Sequence, residues 1–505
     1  MQLSDQTAAR AALLYAGTLC VLYALIPALT FPNPPLDVVE GFAWGRELAL
    51  GYTKHPPMQA WLLELSYRLT GGHAGGYWLS GLSAALGYML IWKIARRLSL
   101  SPLQAFWALV LTSVTFYFTL PLPEFNPNIL QIPVWAGMML LFLRALEKDR
   151  LADWLLLGAL AAFGLYTKYF VFLLIGTIGL YILLYPDARR YLLRPGPWLA
   201  ALVCLLLLVP HLNWLRETDL LTLKYAASRS KPAASFLHHI SNPLDFLGAQ
   251  IGNHAGLFLV VLAGLGWTGM TSARTRRAQA VEALPASGDR FLLWFAFVPL
   301  GVVLLASAIT GNEFEHMWGT PIFVLSGILA VRFLALPALW PHSGRALVAA
   351  IAIQILFLAI LLGQALLEPH WKHKQTRIHF PGAAIADALA KIWKEQTGTD
   401  LAYVAGDMWS TANVAIHASG RPSMFYLHDP ELSPWIDLKD VQQKGLMLVW
   451  RGDSEKLSGK ITAWYPGAVR DGFLIVPYSA SAKIPEVTVN WLIVRPGEVA
   501  ETPVK

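Results

Sequence analysis

Asp37 and Glu40 stand three residues apart in the stretch LDVVEGFAWGRELALGYTKHPPMQAWL, and Lys54 and His55 follow just before the Pro56-Pro57 pair. In a helix beginning at or before Asp37 the two acids share one face, and a carboxylate so placed can take a proton from an incoming hydroxyl. Lys54 and His55 precede a segment expected to turn helical near Met58, and a helix start with an adjacent lysine suits a phosphate. Each feature has a plain structural alternative. Acids at a helix start are favoured by the macrodipole, and a lysine beside a membrane snorkels to lipid headgroups. In LPLPEFNPNILQIPVW, prolines keep the backbone extended and present Glu124, Asn126 and Asn128. These read as groups for a sugar or acceptor, with helix capping the competing role for Asn128. Lys168 in GLYTKYFVFLL is an isolated charge in apolar sequence, expensive against lipid and so expected at a polar cavity or outer boundary. LKYAASRSKPAASFLHH adds Arg229 and Lys231, with Lys224, His238 and His239, a basic segment that clamps a phosphate or touches anionic headgroups. TGNEFEHMWGTP brings Glu313, Glu315 and His316, the last grouped with the acceptor- or sugar-binding residues, with a metal ligand or a hydrogen-bonded structural histidine as the competing roles.

The elements that must hold these residues are membrane helices. Of 505 residues, 55% are hydrophobic and only 14% charged, against about 25% charged in soluble domains. Apolar stretches of spanning character run near 11–31, 74–95, 102–122, 128–146, 150–167, 169–185, 197–214, 254–271, 291–310, 318–336 and 345–366. The start MQLSDQTAAR lacks a small-residue cleavage site and reads as leading into an uncleaved first helix. Basic clusters at Arg96-Arg97, Arg144 to Arg150, Arg189 to Arg194, Arg274 to Arg277, and Arg332 with Arg345 alternate with the candidate-site loops. Placing the clusters in the cytoplasm gives about eleven spans, a cytoplasmic N-terminus and a site on the far side. The fold class is thus an α-helical polytopic membrane protein with interfacial helices, divided into a membrane part, 1–367, with a first outer loop, 32–73, and a soluble part, 368–505. In the latter, GAAIADALAKIW reads as an amphipathic helix and DLAYVAG, GLMLVW, GFLIVP and VNWLIVRP as strands, a small α/β domain.

Several functions drop out. The net charge of +7 lies in short loops, where topology rather than nucleic acid explains it. Cys20 and Cys204 both lie in apolar stretches, without a disulfide framework. No phosphate-loop, zinc-protease or nucleophile-elbow motif occurs. What remains is acids and bases at a lipid boundary, which suits transfer of a sugar from a lipid phosphate: a carboxylate takes the nucleophile's proton while cations stabilise the departing phosphate.

At these residues the chain resembles the C-type superfamily of membrane glycosyltransferases, in the bacterial protein-mannosyltransferase-like group that includes the lipid A aminoarabinose transferase and rhizobial galacturonosyltransferases. The resemblance rests on the acid after the first span, GYTKHPPMQAWL, NPNILQIPVWAGMMLLFLRAL, GLYTKYFVFLL and PHLNWL. It implies an outward-facing cavity, a polyprenyl-phosphate-sugar donor and an inverting reaction at the periplasmic face of the bacterial inner membrane. Asp37 would be the base or acceptor-orienting group, and Lys54 and Lys168 would serve the donor phosphate with Arg229 or a neighbour. The acceptor would be lipid A or lipopolysaccharide core, with a protein or cell-wall polymer as alternative. The chain departs from many relatives in separating Asp37 from Glu40 by two valines and in carrying Asn128 where they have Asp. Loss of that acid disfavours a divalent metal, so no cofactor is expected. A lipid-linked-sugar transporter is the rival reading, but such proteins commonly show duplicated halves and broken midplane helices, which this sequence does not display.

Overall fold

The computed structural model describes residues 4–229, 235–266, 286–334, 343–371, 374–452, 471–478 and 484–499. The apolar stretches read from the sequence fall on helices. Among the described residues, six are long and apolar enough to cross a membrane, namely Asp5–Thr30, Gly75–Arg97, Pro127–Lys148, Pro195–Glu217, Ser287–Thr310 and Ser343–Leu366. Two bent pairs, Val171–Leu184 with Pro186–Leu193 and His238–Asn253 with Ala255–Gly266, bring the number to as many as eight. Among the described residues length and composition therefore identify six to eight of the eleven spans expected. The difference is Pro102–Ser113, Leu151–Thr167 and Ile322–Phe333, apolar helices of 10–17 residues, shorter than the roughly 20 residues that cross a bilayer.

The helix boundaries follow local chemistry. Ser101 and Gln104 close a reciprocal capping box on Pro102–Ser113. Gly71, at a φ of 71°, ends Met58–Thr70 in the left-handed conformation that glycine adopts without strain. Asn126 caps Pro127–Lys148, its side chain accepting from the backbone of Asn128 and Ile129, with Pro127 at the first helical position.

Ion pairs gather the basic clusters at one end of the bundle. Arg96 meets Asp5, Arg97 meets Glu147, Arg194 approaches Asp149, Arg290 meets Asp187, and Arg332 grips Asp289 through two hydrogen bonds of 2.7 Å. Arg274, Arg276 and Arg277 lie outside the described residues. The soluble part sits at the opposite end. Its sheet has five strands, β1 (Tyr403–Gly406), β2 (Ser423–Tyr426), β3 (Leu446–Arg451), β4 (Asp471–Val476) and β5 (Val487–Val494), in the order β2-β1-β3-β5-β4. β1 runs parallel to β2 and β3, and β5 is antiparallel to β3 and β4. Val404, Met447 and Val449 face the side whose core continues into the membrane helices, while Ala405, Leu446 and Leu448 face a separate apolar cluster. The period-two alternation thus welds one face of the sheet to the bundle.

Helix Leu36–Gly45 packs against Met58–Thr70 and against Met408–His417 of the soluble part. Every residue from Val38 to Gly45 is buried, so this helix is covered by protein as well as lying at the end of the bundle.

Helices Leu151–Thr167 and Pro195–Glu217 approach so closely that a Cβ on Gly158 would lie 2.2 Å from the Ala200 carbonyl oxygen, whereas one on Gly176 would meet nothing within 4 Å. Thermal unfolding of the purified protein should therefore separate the two alanine variants. Gly158→Ala forces backbone apart and should cost about 1–3 kcal/mol, while Gly176→Ala should be neutral or raise stability by up to about 1 kcal/mol.

Candidate active site

A cavity of about 690 Å³ opens where the first loop, the Glu124 loop, the Lys168 turn and the soluble part converge. Asp37, Lys54, His55, Glu124, Asn128, Lys168, Arg229, Glu315 and Arg377 all contribute to its wall. Three ties hold these segments in register. Gln59 donates through Nε2 to the carbonyls of Asp37 (2.8 Å) and Phe125 (2.9 Å), joining the two acidic segments. His211, within the PHLNWL stretch, donates from Nδ1 to the Leu50 carbonyl at 2.7 Å and accepts at Nε2 from the Tyr169 hydroxyl at 2.8 Å. It thereby links the loop bearing Lys54 to the turn bearing Lys168. Thr53 donates to the Leu432 carbonyl at 2.5 Å, fastening the same loop to the soluble part. Gly51 is obligatory in that loop, because a Cβ there would lie 2.3 Å from the Trp214 ring.

The charges are unequally partnered. Lys54 donates to Glu40 at 2.7 Å, and Glu40 is buried with 3% of its side chain exposed. Arg229 pairs with Glu315. Lys168 instead donates to the neutral Asn128 Oδ1 at 2.6 Å and stands 5.0 Å from the centre of the Trp318 ring. The capping role expected of Asn128 belongs to Asn126, because Pro127 occupies the first helical position and moves the cap one residue earlier than the proline. Asn128 is freed by this to hold Lys168.

Burial dominates the acid–base properties. It raises the Asp37 carboxyl above the ordinary carboxylate range, against the pull of Lys54, Lys168, Asn126 and Arg377. It pushes Glu124 up to about 7, aided by the negative charge of Asp37 and opposed by the Asp37 backbone N–H, which donates to Glu124 at 3.1 Å. Glu40 is also raised by burial, with Lys54 opposing. Burial takes His55 down to about 3, and the charges of Lys168, Lys54 and Arg229 add to the effect, so its ring is neutral. Lys168 is lowered to about 7 by burial, with Asp37 and Glu315 holding it up.

The remaining candidates are placed elsewhere. His316 is exposed and outside the cavity wall; its carbonyl accepts from Tyr117 at 3.0 Å and Gln250 at 3.2 Å, and its ring lies edge-on to Phe246. Asn126 is buried as a cap beneath Asp37. Lys231 lies outside the described residues. Among the described residues no group of three or more His, Cys, Asp or Glu is arranged to hold a metal.

Residues 54–214 match the family of dolichyl-phosphate-mannose-protein mannosyltransferases. The chain is 25% identical over 473 residues to the lipopolysaccharide core galacturonosyltransferase RgtB of Rhizobium johnstonii, covering 88% of both proteins. It is 23% identical over 412 residues to the lipid A galacturonosyltransferase RgtD of the same organism, covering 77% of this chain and 81% of the relative. Its fold matches ArnT from Cupriavidus metallidurans, solved with undecaprenyl phosphate bound, at a TM-score of 0.58 and 14% identity, over 94% of this chain and 97% of the other. These likenesses make the chain a membrane glycosyltransferase with the C-type fold.

In this glycosyltransferase the sequence reading overlooked three residues that build the cavity. His211 was visible only as part of a motif, and Gln59 only as a polar residue in an apolar helix. Arg377 lies in the tail, and nothing near it in sequence points to the first loop.

Replacing Asn128 by Asp would set an anionic oxygen where Lys168 now meets a neutral one, and an opposite charge at contact favours the protonated amine. Titration of Lys168 by NMR of the reductively methylated protein should find its midpoint near 7 in the native chain and higher by about 1 unit or more in Asn128→Asp. An unmoved midpoint would break the Asn128–Lys168 assignment.

Proposed function

We propose that this glycosyltransferase moves a hexuronic acid from a polyprenyl-phosphate donor to lipid A or lipopolysaccharide core at the periplasmic face of the bacterial inner membrane. The observation that carries the reading is the presence, in the wall of one cavity, of the Asp37–Glu124 acids and of a Lys168 whose side-chain hydrogen bond among the described residues goes to a neutral amide. The names of the two rhizobial relatives supply the acceptors and the acidic sugar, and the ArnT complex supplies the lipid phosphate. The basic clusters at the other end of the bundle support the orientation.

In this reading the donor phosphate lies against Lys168, with Lys54 and Arg229 adding positive potential. The acceptor hydroxyl donates its proton to Asp37 as its oxygen bonds to the anomeric carbon. The bond from that carbon to the phosphate oxygen breaks, and its electron pair leaves with the polyprenyl phosphate, which Lys168 stabilises. Attack from the side opposite the leaving phosphate inverts the anomeric centre. Burial raises the basicity of the Asp37 carboxylate, which suits its role as proton acceptor.

Asp37→Asn should lower turnover by at least about 100-fold while polyprenyl phosphate still binds, and mass spectrometry of lipid A from cells with and without the gene should show loss of one sugar per acceptor. An unchanged lipid A and core, with sugar missing from a protein or cell-wall polymer, would move the acceptor assignment. Retained turnover in Asp37→Asn would remove Asp37 as the base.

The lysine also sets a pH dependence. Its amine loses the proton as pH rises through about 7, so binding the donor anion above that pH must be coupled to proton uptake. The donor Kd should then rise by up to about tenfold per pH unit. Lys168→Arg, whose guanidinium stays charged, should abolish that rise.

A further inference from the structure

The cavity holds two cations that make no carboxylate ion pair among the described residues: Lys168 and Arg377. Lys54 is matched by Glu40 and Arg229 by Glu315, and His55 is neutral. One donor phosphodiester carries one negative charge, which Lys168 answers. Arg377 is left over.

Its position is fixed from both sides. Arg377–His379 is a short 3-10 turn where the chain leaves the last apolar helix and enters the soluble part. The backbone N–H of Asn33 donates to the Ile378 carbonyl at 3.0 Å, and Asn33 Nδ2 donates to the Arg377 carbonyl at 3.4 Å. Asn33 is itself held by His417 at 3.0 Å, and His379 bonds the Ala365 carbonyl at 2.8 Å. The turn is thus anchored beside the entry to helix Leu36–Gly45, and the exposed Arg377 side chain opens onto the cavity. Asn33 precedes helix Leu36–Gly45, which carries Asp37 and Glu40, so Arg377 enters the cavity wall from the side of the acids. In a donor whose phosphate meets Lys168 and whose anomeric carbon faces Asp37, the group on that side is the sugar ring.

We propose that Arg377, contributed by the soluble part, is the specificity-determining residue that pairs its guanidinium with a carboxylate on the transferred sugar. A planar fork of N–H donors matches a carboxylate through two parallel bonds, a fit that neither a hydroxymethyl group nor an ammonium offers. The pairing also shields the sugar carboxylate from Asp37 and Glu124, which would otherwise repel it. The assignment rests on the polyprenyl-phosphate reading of the cavity and adds to it the residue that reads the sugar.

The test uses the purified full-length enzyme with a polyprenyl-phosphate hexuronic acid and its neutral counterpart, identical except for a hydroxymethyl group in place of the carboxylate. The native enzyme should prefer the acidic donor in kcat/KM, and Arg377→Gln should cut that preference about 10- to 100-fold, the worth of a charge-assisted pair. Arg377→Lys, with charge but no fork, should restore part of it, and inhibition by sugar-free polyprenyl phosphate should not weaken in either variant. A native enzyme that transfers both donors equally, or a preference that survives Arg377→Gln, overturns the inference while leaving the lipid-phosphate reading intact. Equal loss on both donors together with weakened polyprenyl phosphate inhibition would assign Arg377 to the phosphate. Equal loss expressed in the acceptor KM would assign it to the acceptor. Absence of transfer from either donor by the native enzyme would instead strike at the proposed function itself.

Discussion

The buried Lys54–Glu40 ion pair sets the electrostatics of the cavity. It ties the loop after helix Leu36–Gly45 back onto that helix at 2.7 Å, and removing one member of such a pair costs about 3–5 kcal/mol because the other is left buried and uncompensated. It also takes one acid and one base out of the reactive inventory. Of the two acids that share the first helical face, Glu40 is neutralised by its neighbour and Asp37 remains to face the cavity. Lys54 still contributes positive potential, but from a position in the wall fixed by its bond to Glu40.

Against that background the neutral partner of Lys168 acquires meaning. An aspartate at position 128 would match Lys168 as Glu40 matches Lys54, and an incoming phosphate would have to displace a carboxylate. Asn128 holds the amine in place by a hydrogen bond and leaves it without a carboxylate ion pair among the described residues, while Trp318 lies within cation–π reach. The same logic explains the dense wiring behind the wall. Uncompensated charges attract each other's counter-ions and collapse unless the backbone is rigid, and here Gln59, His211 and Thr53 each span two segments through backbone carbonyls or neutral side chains. The soluble part belongs to this scaffold. It covers helix Leu36–Gly45, clamps Glu64 through Arg421 at 2.9 Å, and sends Arg377 into the cavity.

Much of this was legible in the sequence because its causes are local. Hydropathy located the apolar helices, since the cost of an unsatisfied backbone in lipid leaves little choice of structure. The amphipathic period placed Gly382–Thr397, and apolar runs placed β1, β3, β4 and β5. The isolation of Lys168 and the acids after the first span marked the right loops. What could not be read depends on distant partners. β2 is four residues long, too short for alternation to register. That Glu40 rather than Asp37 pairs with Lys54, and that Asn126 rather than Asn128 caps its helix, depends on register within a turn. Arg377 reaches the cavity only because the tail folds back onto Asn33, a contact with no sequence pattern of its own. The span count stayed ambiguous for a related reason: three apolar helices are too short to decide by length alone.

The central claim is that Lys168 and Asp37 face each other across a lipid phosphate. A structure of the full-length protein in lipid nanodiscs with a polyprenyl-phosphate sugar bound would test it most directly. The account predicts a phosphate oxygen within about 3 Å of Lys168 Nζ, with the Asp37 carboxylate on the opposite side of the anomeric carbon. A phosphate bound instead at the basic end of the bundle, among Arg97, Arg190 and Arg290, with the cavity beside Asp37 empty, would contradict it.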